Sequence, residues 1–443
     1  MHDRVARCLV AVVALIVAAP AHTQPDARAR TRPNIVLILM DDLGYGDLGS
    51  YGVSDAKTPH IDRLASEGAR LTDFYANGAN CSPTRTGFIT GRYQQRYGIE
   101  WPLGAAAGDS ARGLLPSETS LPRLLKSAGY ATGLIGKWHL GWEPRYHPNR
   151  HGFDEFWGFL GGYLDYFSNV GEFDRHDLFH NDRAVRDSLY LTDEITARAT
   201  SFIEGHRGAP FFVEVSYNAT HWPFQRPGLE AHRRGRPNSR DGTRADYVAM
   251  LERADHGVGA ILATLDRLNL ARNTLVIFTS DNGGEWLSRN APLFHRKSTL
   301  WEGGIRVPAL IRWPARLPAG LVSKQVGITM DLTASILAAA GVSPPASYRP
   351  EGIDLISRLE GRAVVERTLF WRIQTPGRVQ RAVRRGRWKY LRDAGHEFLF
   401  DLETDAGEQR DLTVTQTAML PELRRLLAAW EADVDSSRAA STR

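Results

Sequence analysis

Residues 34–40 form an unbroken apolar run, Asn-Ile-Val-Leu-Ile-Leu-Met, that stops abruptly at Asp41-Asp42. A strand with no polar alternation must be covered on both faces, which is the situation of a strand inside a parallel sheet. Similar runs recur at 131–135, 211–215 and 275–279. Between them lie helical periodicities over 60–69, 121–128, 244–268 and 331–340. Strands alternating with helices predict an α/β fold around a mostly parallel sheet flanked by helices.

The residues after each strand narrow the possibilities, because ligands of open α/β sheets gather outside the carboxyl ends of the strands. The four runs deliver Asp41 and Asp42, then Lys137 and His139, then His221, then Asp281 and Asn282. One polar residue after a strand is ordinarily a turn or a helix cap. Four such deliveries point to one shared site.

Beyond about residue 345 the pattern changes. Ser343-Pro344-Pro345 and Tyr348-Arg349-Pro350 interrupt the periodicity, and β-type runs follow at 368–373, 381–391 and 397–402, with Arg385-Gly386 as a hairpin turn. This predicts a catalytic domain over 33–345 and a smaller C-terminal antiparallel domain over 346–435. An amphipathic helix from about 421 to 432 closes the latter, and 436–443 reads as a disordered tail. At the other end, Arg4 and Arg7 precede an apolar stretch over 9–19 and the small-residue pattern Ala19-Pro20-Ala21. That is the form of a signal peptide over 1–21, followed by a polar linker over 22–32. The stretch is too short to span a bilayer and no later segment approaches that length, so a periplasmic or secreted protein is expected, free of the membrane after cleavage.

The chain carries 55 Lys and Arg against 50 Asp and Glu, a net charge of +5. The excess is arginine spread along the chain, densest over 381–389, and is expected to be solvated surface. There is no Cys/His finger, aromatic-basic sheet signature or basic heptad region, so nucleic-acid binding has no motif behind it. Of two cysteines, Cys8 falls within the expected signal peptide, leaving Cys81 alone in the mature chain. A lone thiol in an oxidising compartment is buried and inert, paired with another chain, or kept for chemistry.

The surroundings of Cys81 favour chemistry. Cys81-Ser82-Pro83-Thr84-Arg85 followed by Thr86-Gly87 closely resembles the Cys-x-Pro-x-Arg then Thr-Gly signature of the type I, formylglycine-dependent sulfatases of the alkaline phosphatase superfamily. The resemblance recurs in order along the chain. Asp41-Asp42-Leu43-Gly44-Tyr45-Gly46 is similar to the family's first metal block, Gly136-Lys137-Trp138-His139 to its central block, and Asp281-Asn282-Gly283 to its second metal block. Lys297-Ser298-Thr299-Leu300-Trp301-Glu302-Gly303-Gly304 is similar to the block bearing a second sulfate-binding lysine. His147-Pro148 and His151-Gly152-Phe153-Asp154 add a likeness to the arylsulfatase A and N-acetylgalactosamine-6-sulfatase group.

The resemblance implies an alkaline-phosphatase-like fold and hydrolysis of sulfate esters on a small molecule or a glycan. It implies a formylglycine-generating maturation enzyme that oxidises Cys81, whose hydrated aldehyde then attacks sulfur with one oxygen and expels sulfate through the other. Asp41, Asp42, Asp281 and Asn282 offer only oxygen donors, suited to a hard cation that also contacts residue 81: calcium, with magnesium as the alternative. Pro83 suits the first turn of a helix whose N–H groups would face residue 81 and a bound anion. By the same resemblance, Arg85 steadies the modified side chain or the metal cluster. Lys137 and Lys297 supply positive charge to sulfate, His139 removes the remaining diol proton, and His221 protonates the departing oxygen or contacts sulfate.

One departure is visible: some relatives carry an active-site serine after the His-Gly-Phe stretch, whereas 157–166 contains none. Tyr163 and Asp165 are expected to line the pocket instead. Substrate preference is expected to reside in the loops 172–190 and 224–244. Asn218-Ala219-Thr220 has the form of a glycosylation acceptor, incidental so close to His221. Two other readings remain: a phosphonate monoester or phosphodiester hydrolase on the same fold, and a non-catalytic binder of sulfated glycans with an unmodified thiol.

Overall fold

The strand Asn34–Met40 lies near the middle of a ten-stranded sheet, and all seven of its residues are buried. Its side chains explain the unbroken apolar run. Val36, Ile38 and Met40 enter one hydrophobic core, while Ile35 and Leu37 enter a second core on the opposite face. Each such side chain taken from water contributes roughly 1.5–3 kcal/mol, so both faces demand apolar residues.

The computed structural model describes residues 32–441 apart from 53–54, 105–110, 117–118, 187–188, 229–240, 362–363 and 376. The expected signal peptide over 1–21 and the linker up to residue 31 lie outside the described residues. Five neighbouring strands run parallel in the order Thr274–Ser280, Asn34–Met40, Phe211–Ser216, Ala131–Lys137 and Glu155–Phe159. The antiparallel strand Ala309–Arg312 pairs with Thr274–Ser280. Helices cover the sheet; the longest, Arg244–Arg267, begins at a capping box in which Thr243 and Asp246 bond each other's backbone N–H. The fold class is therefore the expected one. The helix expected over 60–69 is Pro59–Glu67, because Gly68 ends it and Ala69 already pairs with Ile311 and Leu321 as a strand.

The C-terminal sheet is antiparallel, with the strands Thr368–Thr375, Arg378–Arg385, Trp388–Asp393 and His396–Asp401 in sequence order. Gly386, at φ 56°, makes the left-handed turn of its central hairpin, a conformation glycine adopts without strain. Residues 32–443 form one compact unit. The small sheet shares a core with Tyr75, Tyr93, Trp301 and Ile305 of the larger layer.

Two expectations are corrected here. The segment 436–443 is not a disordered tail from its start: the last helix runs Leu420–Ser441. Val434 is buried, Arg372 pairs with Asp435 at 2.8 Å, and Arg96 reaches Asp433 and the Ser437 hydroxyl, so contacts across the molecule hold this stretch. The arginine-rich run is not simply solvated. Arg384 and Lys389 are buried among carboxylates, while Arg381 pairs with Glu431 at 2.7 Å. Among the described residues, no helix is long and apolar enough to cross a membrane.

Candidate active site

Cys81 begins the helix Cys81–Thr90, whose ten residues are all buried. Asn80 and Cys81, at the start of the helix, line a cavity, and the positive end of the helix favours an anion there. The helix ends at Gly91, which has φ 63° and whose missing Cβ would lie 2.7 Å from the Tyr348 hydroxyl. A side chain at that position would both strain the turn and push the helix out of place.

The carboxyl ends of the parallel strands bring the other expected residues to Cys81. Its Sγ lies 3.6 Å from Asp41 Oδ1. Lys137 Nζ is 2.7 Å from Asp41 Oδ2, and Lys297 Nζ is 2.7 Å from Asp42 Oδ2. Arg85 donates from Nε and Nη2 to Asp281 Oδ2 at 3.1 and 2.9 Å, and from Nη1 to the Lys137 carbonyl at 3.0 Å. Asn282 Nδ2 donates to Asp42 Oδ1 at 2.7 Å. His221 Nε2 is 3.6 Å from Asp42 Oδ2. Asp42 and His139 have φ 60° and 59°, left-handed values that bulky residues seldom adopt and that here turn the chain sharply at the strand ends.

Burial sets the electrostatics. It pushes Asp41 up to about 7, and the neighbouring carboxylates Asp281 and Asp42 push the same way against Lys137. Burial acts upward on Asp42 as well, but Lys297, His221 and Lys137 outweigh it and hold that group at about 2. The Cys81 thiol is pushed up by burial and by Asp281, so an unmodified side chain is a neutral thiol and a poor nucleophile. Burial, with Lys137 and Arg85 beside it, holds His139 well below the usual histidine range. Burial and Lys297 do the same to His221.

The donor chemistry fits a hard cation. Ligand atoms of Asp41, Asp42, Cys81 and His221 lie within 4.8 Å of one another. Asn282 Oδ1 is buried without a hydrogen-bond partner, and such an orphaned oxygen is what a coordinating cation satisfies. This grouping differs from the expected ligand set in two respects: it includes His221 and it lacks Asp281. Asp281 Oδ2 accepts from Arg85, while its Oδ1 lies 3.4 Å from the Asp42 N–H.

Cys81, His139, His221 and Lys297 line a cavity of about 700 Å³ together with Tyr163 and Trp222. Asp165 does not line it: its Oδ1 accepts from the Phe167 and Ser168 N–H groups and its Oδ2 from Gln225, so it builds the loop. From the loop expected to set specificity, Glu172 and Phe173 reach the cavity; residues 229–240 of the second loop lie outside the described residues. Asn218 is 2% exposed, so its sequon is closed to a glycan in the folded chain.

Several contributors carry no recognisable signal in the sequence. The Leu103 carbonyl is 2.8 Å from His139 Nε2, Ser216 Oγ accepts from Arg85 at 2.5 Å, and Asn80 Oδ1 accepts from the Ser298 hydroxyl at 2.7 Å. Ser216 could have been found, since it ends a strand that leads to His221. Leu103 acts through its backbone, which no side-chain pattern reports.

Comparison with known proteins agrees with this geometry. The family model described as Sulfatase matches residues 33–342. The chain is 36% identical over 371 residues to N-acetylgalactosamine-6-sulfatase of Canis lupus familiaris, covering 78% of this chain and 69% of that one. It is 38% identical over 369 residues to the enzyme of the same name from Sus scrofa, covering 76% and 68%. Among solved structures, Ps i-CgsB in complex with k-i-k-neocarrahexaose superposes with a TM-score of 0.83 at 31% identity, covering 90% of this chain and 93% of that one. A matching family model over most of the chain, together with a cysteine-led helix facing paired aspartates and lysines, identifies the chain as a member of the sulfatase family.

Proposed function

We propose that this protein, a sulfuric ester hydrolase by its family, removes sulfate from a carbohydrate using formylglycine at position 81 and a bound calcium ion, with magnesium as the alternative cation. The observation that carries the reading is the meeting of Cys81 with Asp41, Asp42 and His221 within 4.8 Å, at the base of a cavity roomy enough for a sugar ring. The names of its relatives supply the substrate class. The sequence over 1–21 supports export, which would bring the enzyme to glycans outside the cytoplasm.

Oxidation of Cys81 by the maturation enzyme to the formylglycine aldehyde, followed by addition of water, would supply a geminal diol in place of a thiol that burial keeps protonated, and Asp41, Asp42, Asp281 and Asn282 would hold a cation that would supply Lewis-acid polarisation of sulfate. Lys137 and Lys297 place two ammonium groups beside the same carboxylates, where they meet the negative charge that develops on the sulfate oxygens. Arg85 fixes Asp281 and, through the Lys137 carbonyl, the end of the adjacent strand.

The histidine tautomers follow from their partners. His139 Nε2 faces the Leu103 carbonyl, so it carries the proton, and Nδ1 is a buried acceptor with no partner. A neutral ring with one bare nitrogen is what a general base requires. His221 Nδ1 faces the Trp222 carbonyl at 2.6 Å and donates to it, which leaves Nε2, near Asp42, as the atom that exchanges a proton with the leaving alcohol.

Mass spectrometry of the tryptic peptide ending at Arg85, from protein made in its native host, tests the maturation. The expected product is formylglycine at position 81, with sulfate release from sulfated galactosides that chelation abolishes and calcium restores. An intact thiol at position 81, or faster turnover of phosphonate monoesters and phosphodiesters than of any sulfate ester, overturns the reading.

A further inference from the structure

His139 is held from three sides. Its backbone N–H donates to the Leu160 carbonyl at 3.2 Å, just past the strand Glu155–Phe159. The Cβ that Gly162 lacks would lie 3.0 Å from the ring's Cε1 and 3.1 Å from its Nε2, so one edge of the ring packs against bare backbone. Nε2 donates to the Leu103 carbonyl at 2.8 Å, and Nδ1 has no hydrogen-bond partner. Which ring nitrogen carries the proton is therefore decided by Leu103.

Leu103 is held in turn by the helix that begins at Cys81. Its N–H donates to Ser82 Oγ at 3.0 Å, and Ser82 is fully buried. Upstream, Arg372 of the C-terminal sheet clasps Glu100 through two hydrogen bonds of 2.9 and 2.8 Å. Pro102, between these two ties, has no N–H to offer. Trp101, Pro102 and Leu103 all line the cavity, so this strap has open space on one side. A buried N–H deprived of its acceptor carries the full cost of desolvation, and the peptide turns to find another partner.

We propose that Ser82 is a positioning residue: its hydroxyl fixes Leu103, whose carbonyl fixes the His139 ring and its tautomer, so that the helix carrying residue 81 also sets the stance of the base. This rests on the reading of His139 as the general base. Ser82 does not line the cavity and acts only through Leu103. The Cys-x-Pro-x-Arg pattern leaves its position open, so the likeness to the family does not assign it. Residue 81 and Ser82 are consecutive in one helical turn, and the path through Leu103 and His139 returns to the cavity that Cys81 lines. Nucleophile and base are thereby registered to each other.

The test compares Ser82→Ala with the parent in the full-length protein, and Ser82→Val with Ser82→Thr, a pair of equal size that differs in the hydroxyl. In unmatured protein labelled at its histidine ring nitrogens, His139 is assigned by its absence from His139→Gln. NMR of the parent and of Ser82→Thr is expected to show a protonated Nε2 and a bare Nδ1, whereas Ser82→Ala and Ser82→Val show both tautomers. In matured enzyme acting on a sulfated galactoside, kcat is divided by the fraction of formylglycine that mass spectrometry finds at position 81. On that scale Ser82→Ala should lower kcat about tenfold or more and leave KM within about twofold, and Ser82→Val should fall below Ser82→Thr by a similar factor. Parent-like ring-nitrogen signals in Ser82→Ala and Ser82→Val, or a kcat within about twofold of their hydroxyl-bearing counterparts, overturn the proposal. No sulfate release from the parent counts against the sulfatase reading instead, and the NMR comparison still decides the role of Ser82.

Discussion

Two clusters of buried charge lie in the same fold and are completed differently. In the active site Asp41, Asp42 and Asp281 face Lys137, Lys297 and Arg85. Where the larger layer meets the C-terminal sheet, Glu302, Glu408 and Asp73 face Lys389, Arg306 and Arg384. Both are shielded from water, and each contains acidic groups shifted far from their ordinary range. In the second cluster the charges close on one another: Lys389 Nζ lies 2.9 Å from Glu302 and 2.8 Å from Glu408, and Glu302 also accepts from Tyr75 at 2.6 Å. Glu408 Oε1 has no aligned hydrogen-bond donor but is held in the ion pair with Lys389, whereas the first cluster leaves Asn282 Oδ1 and His139 Nδ1 without partners and opens to a cavity. Burial of charge therefore does not mark function by itself. Unsatisfied acceptors beside an opening do, because they are places for something that is not protein.

The difference can be broken by exchanging what each cluster loses. The largest effect is expected from Cys81→Ala, which removes the nucleophile and little else: sulfate release should fall on the order of 10⁴-fold or more, with thermal stability close to that of the parent. A residual rate within tenfold of the parent would place the nucleophile elsewhere. Lys389→Met is the reciprocal change. It leaves two carboxylates facing each other in the interior and should cost about 3–5 kcal/mol in chemical denaturation, while kcat per folded molecule stays within about twofold. Loss of activity ahead of stability would make the second cluster part of the catalytic machinery.

What the sequence disclosed about these two clusters was unequal for a physical reason. Asp41, Asp42, Asp281 and Asn282 follow apolar strands directly, so strand polarity alone gathers them at one edge, and Cys81, Pro83 and Arg85 are near neighbours along one helix. Glu302, Lys389 and Glu408 belong to a short helix, an antiparallel strand and a loop whose packing no local pattern specifies. The arginine-rich run over 381–389 therefore reads as solvated surface, although it lies in two paired strands of the C-terminal sheet, where alternation along a strand turns residues such as Arg384 and Lys389 inward. The His139 contact with Leu103 and the position of Glu172 were hidden in the same way, since a backbone carbonyl and a loop carboxylate carry no periodicity. The α/β class was legible because the period of the apolar runs is itself the physics of a doubly covered sheet.

The smallest predicted effect sharpens the comparison through pH. In the second cluster burial works against the charge of Glu302, yet Lys389, Arg306 and Arg384 outweigh it and hold the group at about 2, below its ordinary 4.5. Glu408 is pushed by burial, against Lys389, up to about 7. The two limbs have opposite signs. The contribution of Glu302 is complete above pH 4.5 and is lost as pH falls toward 2, because the unfolded chain takes up the proton first. The contribution of Glu408 is complete below pH 4.5 and is lost as pH rises through about 7, because the folded chain holds the proton longer. The cluster should therefore be most stabilising near pH 4.5, with denaturation midpoints falling on both sides. Glu302→Gln should flatten the acid limb and Glu408→Gln the limb toward neutral pH. If both variants kept the parent's pH profile, Lys389 would not be dividing its charge unequally between the two glutamates, and the closed character of this cluster would have to rest on packing alone.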